Sequence, residues 1–409
     1  MEKTESITSG ELNDLLTAML GVSDGISDLL FVVGKPPQIE VHGRLKSFEP
    51  EPVLTGERIK ALSRTIINGN SQHLQNLAEH GSCDCSYALW SLGRFRINIY
   101  RQNGNHAMVL RRLPSEIPTM ESLQLAPVFQ EIIKEKTGLV FVTGGTGNGK
   151  TTTLAAMLNE INLTSDVHIV TLEDPVEFLH PHKRATFSQR ELGRDFYNYP
   201  DGLRAALRQA PKIIFVGEIR DQETMEIALT ASETGHVVFS TLHTVSAAQT
   251  IHRILGLFKR EEEAPVRERL VNCLRYIISQ RLVPKISGGR MLVTEVLGSS
   301  MRSREAIALG ESEGRRMSEI IEAGNAYGWH SFEQSLLKAF ENNLITEETA
   351  LLYSTNKTHM SQRLDMAIKL RDTAKIQSTL KMIIDEPPPA PKPPPPPVPP
   401  VLDKSKKPT

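Results

Sequence analysis

Apolar positions change period along the chain, and the changes divide it. Leu12, Leu15, Leu16, Met19 and Leu20 recur at helical spacing, whereas LLFVVG and QIEVHG read as short strands broken at Pro36 and Pro37. The stretch from Arg58 to Leu77 returns to a helical period and predicts one further helix. The sharpest local signal is GRFRINIYRQNGNHAMVLRRL, two alternating strands about Asn103 and Gly104, a dipeptide that accepts the positive φ angles of a tight hairpin. On its first strand Phe95, Ile97 and Ile99 take one face and Arg94 and Arg96 the other, so the arginines are not on the core side. PSEIPTMES, with Pro114 and Pro118, reads as a linker, and strands then alternate with helices. The expected division is an α+β domain over residues 1–113, a linker over 114–124 and an α/β domain with carboxyl-terminal helices over 125–375.

Composition narrows the function classes. A chain of 409 residues has room for two or three cores. Lys plus Arg is 47 against 48 Asp plus Glu, so no general basic field draws nucleic acid or anionic lipid. Cys83, Cys85 and Cys273 are an odd number, and no basic segment followed by an apolar run opens the chain, which leads to the expectation of a reducing, cytoplasmic setting. Apolar runs such as Gly138 to Val142 fall far short of the roughly 20 residues of a membrane-spanning helix. Of the 25 prolines, 12 lie between Pro387 and Pro408. PPPAPKPPPPPVPP lacks backbone donors and reads as a disordered polyproline II rod at roughly 3 Å per residue. Residues 386–409 are therefore expected to be a spacer or a docking peptide.

The chemistry concentrates in the second domain. GGTGNGKT, Gly144 to Thr151, fits G-x-x-x-x-G-K-[ST], with the buried-strand run GLVFVTG before it and the helix former TTTLAAMLNEI after it. Backbone N–H groups must turn inward on a phosphate, which requires positions without side chains. Gly144, Gly145, Thr146, Gly147, Asn148, Gly149, Lys150, Thr151 and Thr152 are thus the candidate ATP-binding residues. Lys150 supplies a point charge, Thr151 a hydroxyl for Mg²⁺, and the helix its positive end.

Two further runs, HIVTLEDPVE and KIIFVGEIRD, end at Glu173 and Glu218. In a parallel sheet such ends share one edge with the phosphate loop, so both acids are expected to meet Lys150. One can hold Mg²⁺ through water and the other orient or deprotonate an attacking water; taken singly, each acid is equally well a helix N-cap. His236 and His243 bracket a last strand, HVVFSTLH. His243 is at the carboxyl end, where a phosphate sits, and His236 is as readily a packing residue.

With these residues in place, the ordered set GGTGNGKTTTLAAM, TLEDPVEF, ALRQAPKIIFVGEIRDQETM and ETGHVVFSTLHTVSAA resembles the PilT/PilU family of type IV pilus retraction ATPases over roughly residues 25–355. The resemblance implies an α/β protein in which an N-terminal PAS-like domain precedes a RecA-like P-loop NTPase domain. It implies a homo-hexamer that burns ATP with Mg²⁺ on the cytoplasmic side of the inner membrane, at the pilus base, and turns a pilus platform protein to retract the fibre in twitching motility. It assigns Lys150 and Thr151 to the Walker A box, Glu173 to the aspartate box as catalytic base, Glu218 to the Walker B box beside the metal, and His236 and His243 to the histidine box. Arg96 and Arg112 resemble arginine fingers, an ordinary solvated strand face being the alternative.

The chain departs from the family at Asn148 and Thr151, usually Ser, and at Lys212, usually an acid. The retraction-associated AIRNLIRE helix is faint at MRSREAIALGES, while FLHPHK, LRQAPK and RDQETM lean towards the PilU branch, which would bring a paralogous retraction ATPase as partner. Pilus extension or type II secretion is the alternative within the class, but its four-cysteine zinc module cannot be built from three cysteines. Outside it stand a nucleotide-gated adaptor ring without turnover and a nucleic-acid motor; balanced charge and an aromatic content of 5 % oppose the latter.

Overall fold

Alternation of buried and exposed positions builds an antiparallel amino-terminal sheet. Its strands are β1 (Ile26–Phe31), β2 (Gln38–Val41), β3 (Arg44–Ser47), β4 (Ser82–Leu89), β5 (Gly93–Gln102) and β6 (Asn105–Leu113), in the spatial order β3-β2-β1-β6-β5-β4. The computed structural model describes residues 6–89 and 92–385, the last of these, 372–385, as helix backbone alone, so the proline-rich segment 386–409 lies outside the described residues. Asn103 (φ 49°) and Gly104 (φ 77°) turn β5 into β6. Helices Ser9–Leu20, Gly56–Ile67 and Ser71–Glu79 accompany the sheet, and Leu16, Met19, Leu29, Ile59, Phe95, Ile97 and Ile99 form its core. Cys83 and Cys85 belong to this core as free thiols, and burial pushes Cys83 up to about 11 and Cys85 further, so neither is a ready nucleophile.

The single helix expected over Arg58 to Leu77 is two. Asn68 takes the left-handed conformation (φ 48°, ψ 44°), Gly69 follows at φ 72°, and Asn70 caps the next helix by accepting the His73 N–H at 3.1 Å. An Asn-Gly-Asn run satisfies helix ends better than it continues a helix, and this outweighs the apolar period on both sides.

The second sheet is buried on both faces. It comprises β7 (Gly138–Thr143), β8 (His168–Glu173), β9 (Thr186–Glu191), β10 (Ile213–Val216), β11 (Val237–Leu242), β12 (Leu274–Pro284) and β13 (Arg290–Gly298), ordered β13-β12-β7-β11-β10-β8-β9. All neighbours are parallel except the β12–β13 pair. Every residue of β7, β10 and β11 is buried, the mark of a sheet covered by crossover helices. Those helices include Lys150–Thr164 after β7, Gln222–Glu233 after β10 and Ala247–Leu255 after β11, so the helix-starting turns all open at the carboxyl edge. Residues to Thr355 make one compact unit; the helix Lys357–Asp385 lies in a second, which begins at Asn356.

Gly138 starts β7 at φ 115°, and a Cβ there would stand 2.5 Å from the Cys273 carbonyl oxygen. Gly138→Ala is expected to cost about 1–3 kcal/mol through backbone strain and overpacking. The check is the thermal midpoint by circular dichroism, which should fall; an unchanged midpoint would show that the strand yields without penalty.

Candidate active site

Glycines shape the turn from β7 into helix Lys150–Thr164. Gly144, Gly147 and Gly149 hold φ angles of 147°, 79° and 79°, and a Cβ on Gly144 would meet the Gln280 carbonyl oxygen at 2.7 Å. Strand β12 pins the loop from below: Asn148 Nδ2 donates to Gln280 O at 3.1 Å and Gln280 Nε2 to Thr153 Oγ1 at 2.8 Å. Lys150 is buried, its ammonium donating to Gly144 O at 2.9 Å and Gly145 O at 3.2 Å. Burial lowers its pKa from the ordinary lysine value, against the pull of Glu218.

The loops after β7, β8, β10 and β11 and the amino-terminal sheet line one cleft of about 580 Å³. Thr146, Gly147, Gly149, Lys150, Thr151 and Thr152 form its floor, Glu173 and Asp174 enter after β8, Glu218 and Arg220 after β10, and His243 after β11. Gly144, Gly145 and Asn148 shape the loop from outside the cleft lining.

The two acids occupy different surroundings. Glu173 closes β8 and is 6 % exposed, with its Oε1 accepting from Thr171 Oγ1 at 2.7 Å and Gln189 Nε2 at 3.3 Å. Burial raises its pKa to about 7 despite these bonds. Glu218 accepts from Arg220 Nη2 at 2.7 Å, and its other oxygen is 3.4 Å from His243 Nε2. Burial would raise its pKa, but Arg220 and His243 outweigh that and hold it below the ordinary value. One acid is thus poised to exchange a proton near neutrality while the other stays ionised, a division that acid–base chemistry at a phosphate requires.

His243 Nδ1 lies 3.5 Å from the Lys150 ammonium, so the imidazole spans Lys150 and Glu218. A proton on Nε2, facing Glu218, with Nδ1 accepting from Lys150, is the tautomer this geometry suits. For a magnesium ion, Thr151 and Glu218 offer a hydroxyl and a carboxylate, hard oxygen donors of the right kind. Among the described residues no cluster of three or more His, Cys, Asp or Glu side chains could hold a metal by itself, so the donor set suits an ion shared with phosphate oxygens.

Two candidates stand elsewhere. His236 precedes β11 at the far edge of the sheet, its Nδ1 2.9 Å from Ala231 O. Arg112 is opposite Phe95 across the hairpin and reaches back to the Leu92 carbonyl, whereas Arg96 is opposite Arg111, and it is Arg96 and Arg111 that line the cleft. Directly opposed residues share a sheet face, so Arg112 takes the face of the core residue Phe95. Arg111 is braced by Asp28 Oδ1 at 2.9 Å from β1. Counting register outward from Asn103–Gly104 would have paired Arg96 with Arg111 from sequence alone; for Arg220 and Asp174, two further lining residues among several, the only signal was adjacency to Glu218 and Glu173.

Comparison with known proteins agrees with this geometry. Residues 94–289 match the family described as type II/IV secretion system protein. The type IV pilus retraction ATPase PilT of Pseudomonas aeruginosa is 41 % identical over 337 residues, covering 82 % of this chain and 96 % of the relative. The type IV pilus ATPase PilU of the same organism is 35 % identical over 345 residues, 84 % of this chain and 88 % of the relative. Among solved structures, the pilus retraction motor PilT with bound ADP superposes with a TM-score of 0.77 at 38 % identity, covering 87 % of this chain and all of the other. A P-loop, two differently tuned acids and a bridging histidine at one sheet edge, with relatives matched over nearly their full length, mean that this chain belongs to the type II/IV secretion system protein family, in its branch of PilT- and PilU-type pilus ATPases.

Proposed function

We propose that this chain hydrolyses ATP to power retraction of a type IV pilus and so twitching motility. The observation that carries the reading is the meeting of Lys150, Glu173, Glu218 and His243 in one cleft, each from the carboxyl end of a different parallel strand or just after it. The phosphate loop binds the β and γ phosphates through inward N–H groups, and Lys150 trades its two loop carbonyls for phosphate oxygens. Glu173, with a pKa of about 7, accepts the proton of the attacking water. Arg96 and Arg111, which line the same cleft, bring positive charge to the transferred phosphoryl group, where charge develops. His243 links the Lys150 and Glu218 positions, so occupancy of one is felt at the other. When Mg²⁺ is bound, Thr151 and Glu218 would hold it, and it supplies charge neutralisation of the phosphates.

The motor works as a homo-hexamer on the cytoplasmic side of the inner membrane at the pilus base, where it turns a platform protein, with a paralogous retraction ATPase as a further partner; nucleic acid is not its track. The match to a retraction ATPase over 96 % of that protein's length supports this reading. Among the described residues no helix is long and apolar enough to cross a membrane.

Lys150→Ala is expected to abolish nucleotide binding in calorimetry, and Glu218→Gln to bind nucleotide without turning it over; normal turnover in the second removes Glu218 from the mechanism. In cells, Lys150→Ala should leave surplus surface pili that do not retract, whereas absent pili would favour a role in assembly. The acid limb carries a third expectation. A base that loses its proton only near pH 7 makes kcat/KM rise with pH through about 7. Thr171→Val removes a bond that favours the ionised form and should move that limb to higher pH. A limb that stays in place or moves down in a kinetic pH series would take Glu173 out of the role of base.

A further inference from the structure

Away from the cleft, one buried ion pair joins the two sheets. Glu191 ends β9 beside its register partner Glu173 and is 5 % exposed. Its Oε1 accepts from Ser86 Oγ of β4 at 2.5 Å, and its Oε2 from Arg94 Nη2 of β5 at 3.3 Å and from the Val176 N–H at 3.2 Å. Arg94 Nη1 donates to the Val176 carbonyl oxygen at 2.8 Å. The two members of one pair therefore hold both backbone polar groups of a residue three positions after Glu173. The Leu192 N–H also donates to the Glu173 carbonyl at 2.9 Å, so the chain on either side of the pair is tied to the base.

The same pair faces the arginines. Arg94 stands two residues before Arg96 on one face of β5; Arg96 is opposite Ser86 on β4 and Arg111 on β6. One sheet face thus carries Ser86 and Arg94, which grip Glu191, and Arg96 and Arg111, which line the cleft. Arg94 and Glu191 do not themselves line it. A buried ion pair gains little over an apolar contact, because desolvation offsets its attraction; what a forked guanidinium spanning two acceptors adds is fixed geometry.

We propose that Arg94 and Glu191 are a positioning pair that fastens the amino-terminal sheet to the segment after Glu173, holding Arg96, Arg111 and the base at one set of distances from the phosphate loop. The pair acts on the hydrolysis assigned above and rests on that reading. Movement of the amino-terminal sheet is then transmitted to the base through Val176, and retraction of the sheet withdraws base and arginines together.

The test compares the full-length parent with Arg94→Met, Glu191→Gln and the double variant for ATP turnover, ADP binding by calorimetry and thermal midpoint. Arg94→Met is expected to lower kcat by about 10- to 100-fold, the scale of a misplaced catalytic group. Its ADP dissociation constant should stay within about threefold, because the phosphate loop is untouched. The double variant should turn over at nearly the rate of Arg94→Met, as two parts of one unit do. Arg94→Lys keeps the charge without the fork and should fall between parent and methionine variant, which gives a reading even if Arg94→Met does not fold. Unchanged kcat in the folded variants, or kcat, ADP affinity and midpoint all falling in step, would overturn the proposal. A parent without ATP turnover would instead overturn the ATPase reading.

Discussion

Parallel pairing is the constraint on which the catalytic half of the molecule depends. Because β7, β8, β10 and β11 run the same way, the residues that end them meet at one edge whatever their separation along the chain. The loop after β7 brings backbone donors, Glu173 closes β8, Glu218 follows β10 by two residues and His243 follows β11 by one. Register matters to this arrangement, since a slip of one residue in any strand would turn its terminal side chain to the other face. The hydrophobic pattern that folds the sheet is therefore also what places the charges.

Electrostatics then divides the work among groups of like chemistry. Two glutamates in one cleft would be interchangeable in water. Here burial carries Glu173 to a pKa of about 7, while Arg220 and His243 keep Glu218 ionised against the same burial. Further positive charge in the cleft comes from a different sheet. Arg96 and Arg111 belong to the amino-terminal hairpin, whose Arg94, with Ser86 of β4, also bonds Glu191, one strand away from Glu173.

The legibility of these features in the sequence follows from their range. The glycine-rich loop was readable because positive φ angles demand glycines at fixed spacing, and Gly144, Gly147 and Gly149 take them. Glu173 and Glu218 were readable one step further, through the rule that parallel strand ends converge. The arginines were half readable: alternation placed Arg94 and Arg96 off the core face, but choosing Arg112 over Arg111 ignored the register that the Asn103–Gly104 turn sets. The break at Asn68 was hidden because a 3.6-residue period persists across two helices that share a core. Glu191 carried no local signal at all, for its three donors come from Ser86, Arg94 and Val176, and only the folded chain brings them together.

The most direct measurement is a crystal structure of the full-length protein with Mg²⁺ and a non-hydrolysable ATP analogue. The terminal phosphate is expected beside Lys150 Nζ, with the Glu173 carboxylate facing the side from which water attacks and Arg96 and Arg111 turned towards the same phosphate. A nucleotide bound away from the loop after β7, or a terminal phosphate with Glu173 buried out of its reach, would contradict it.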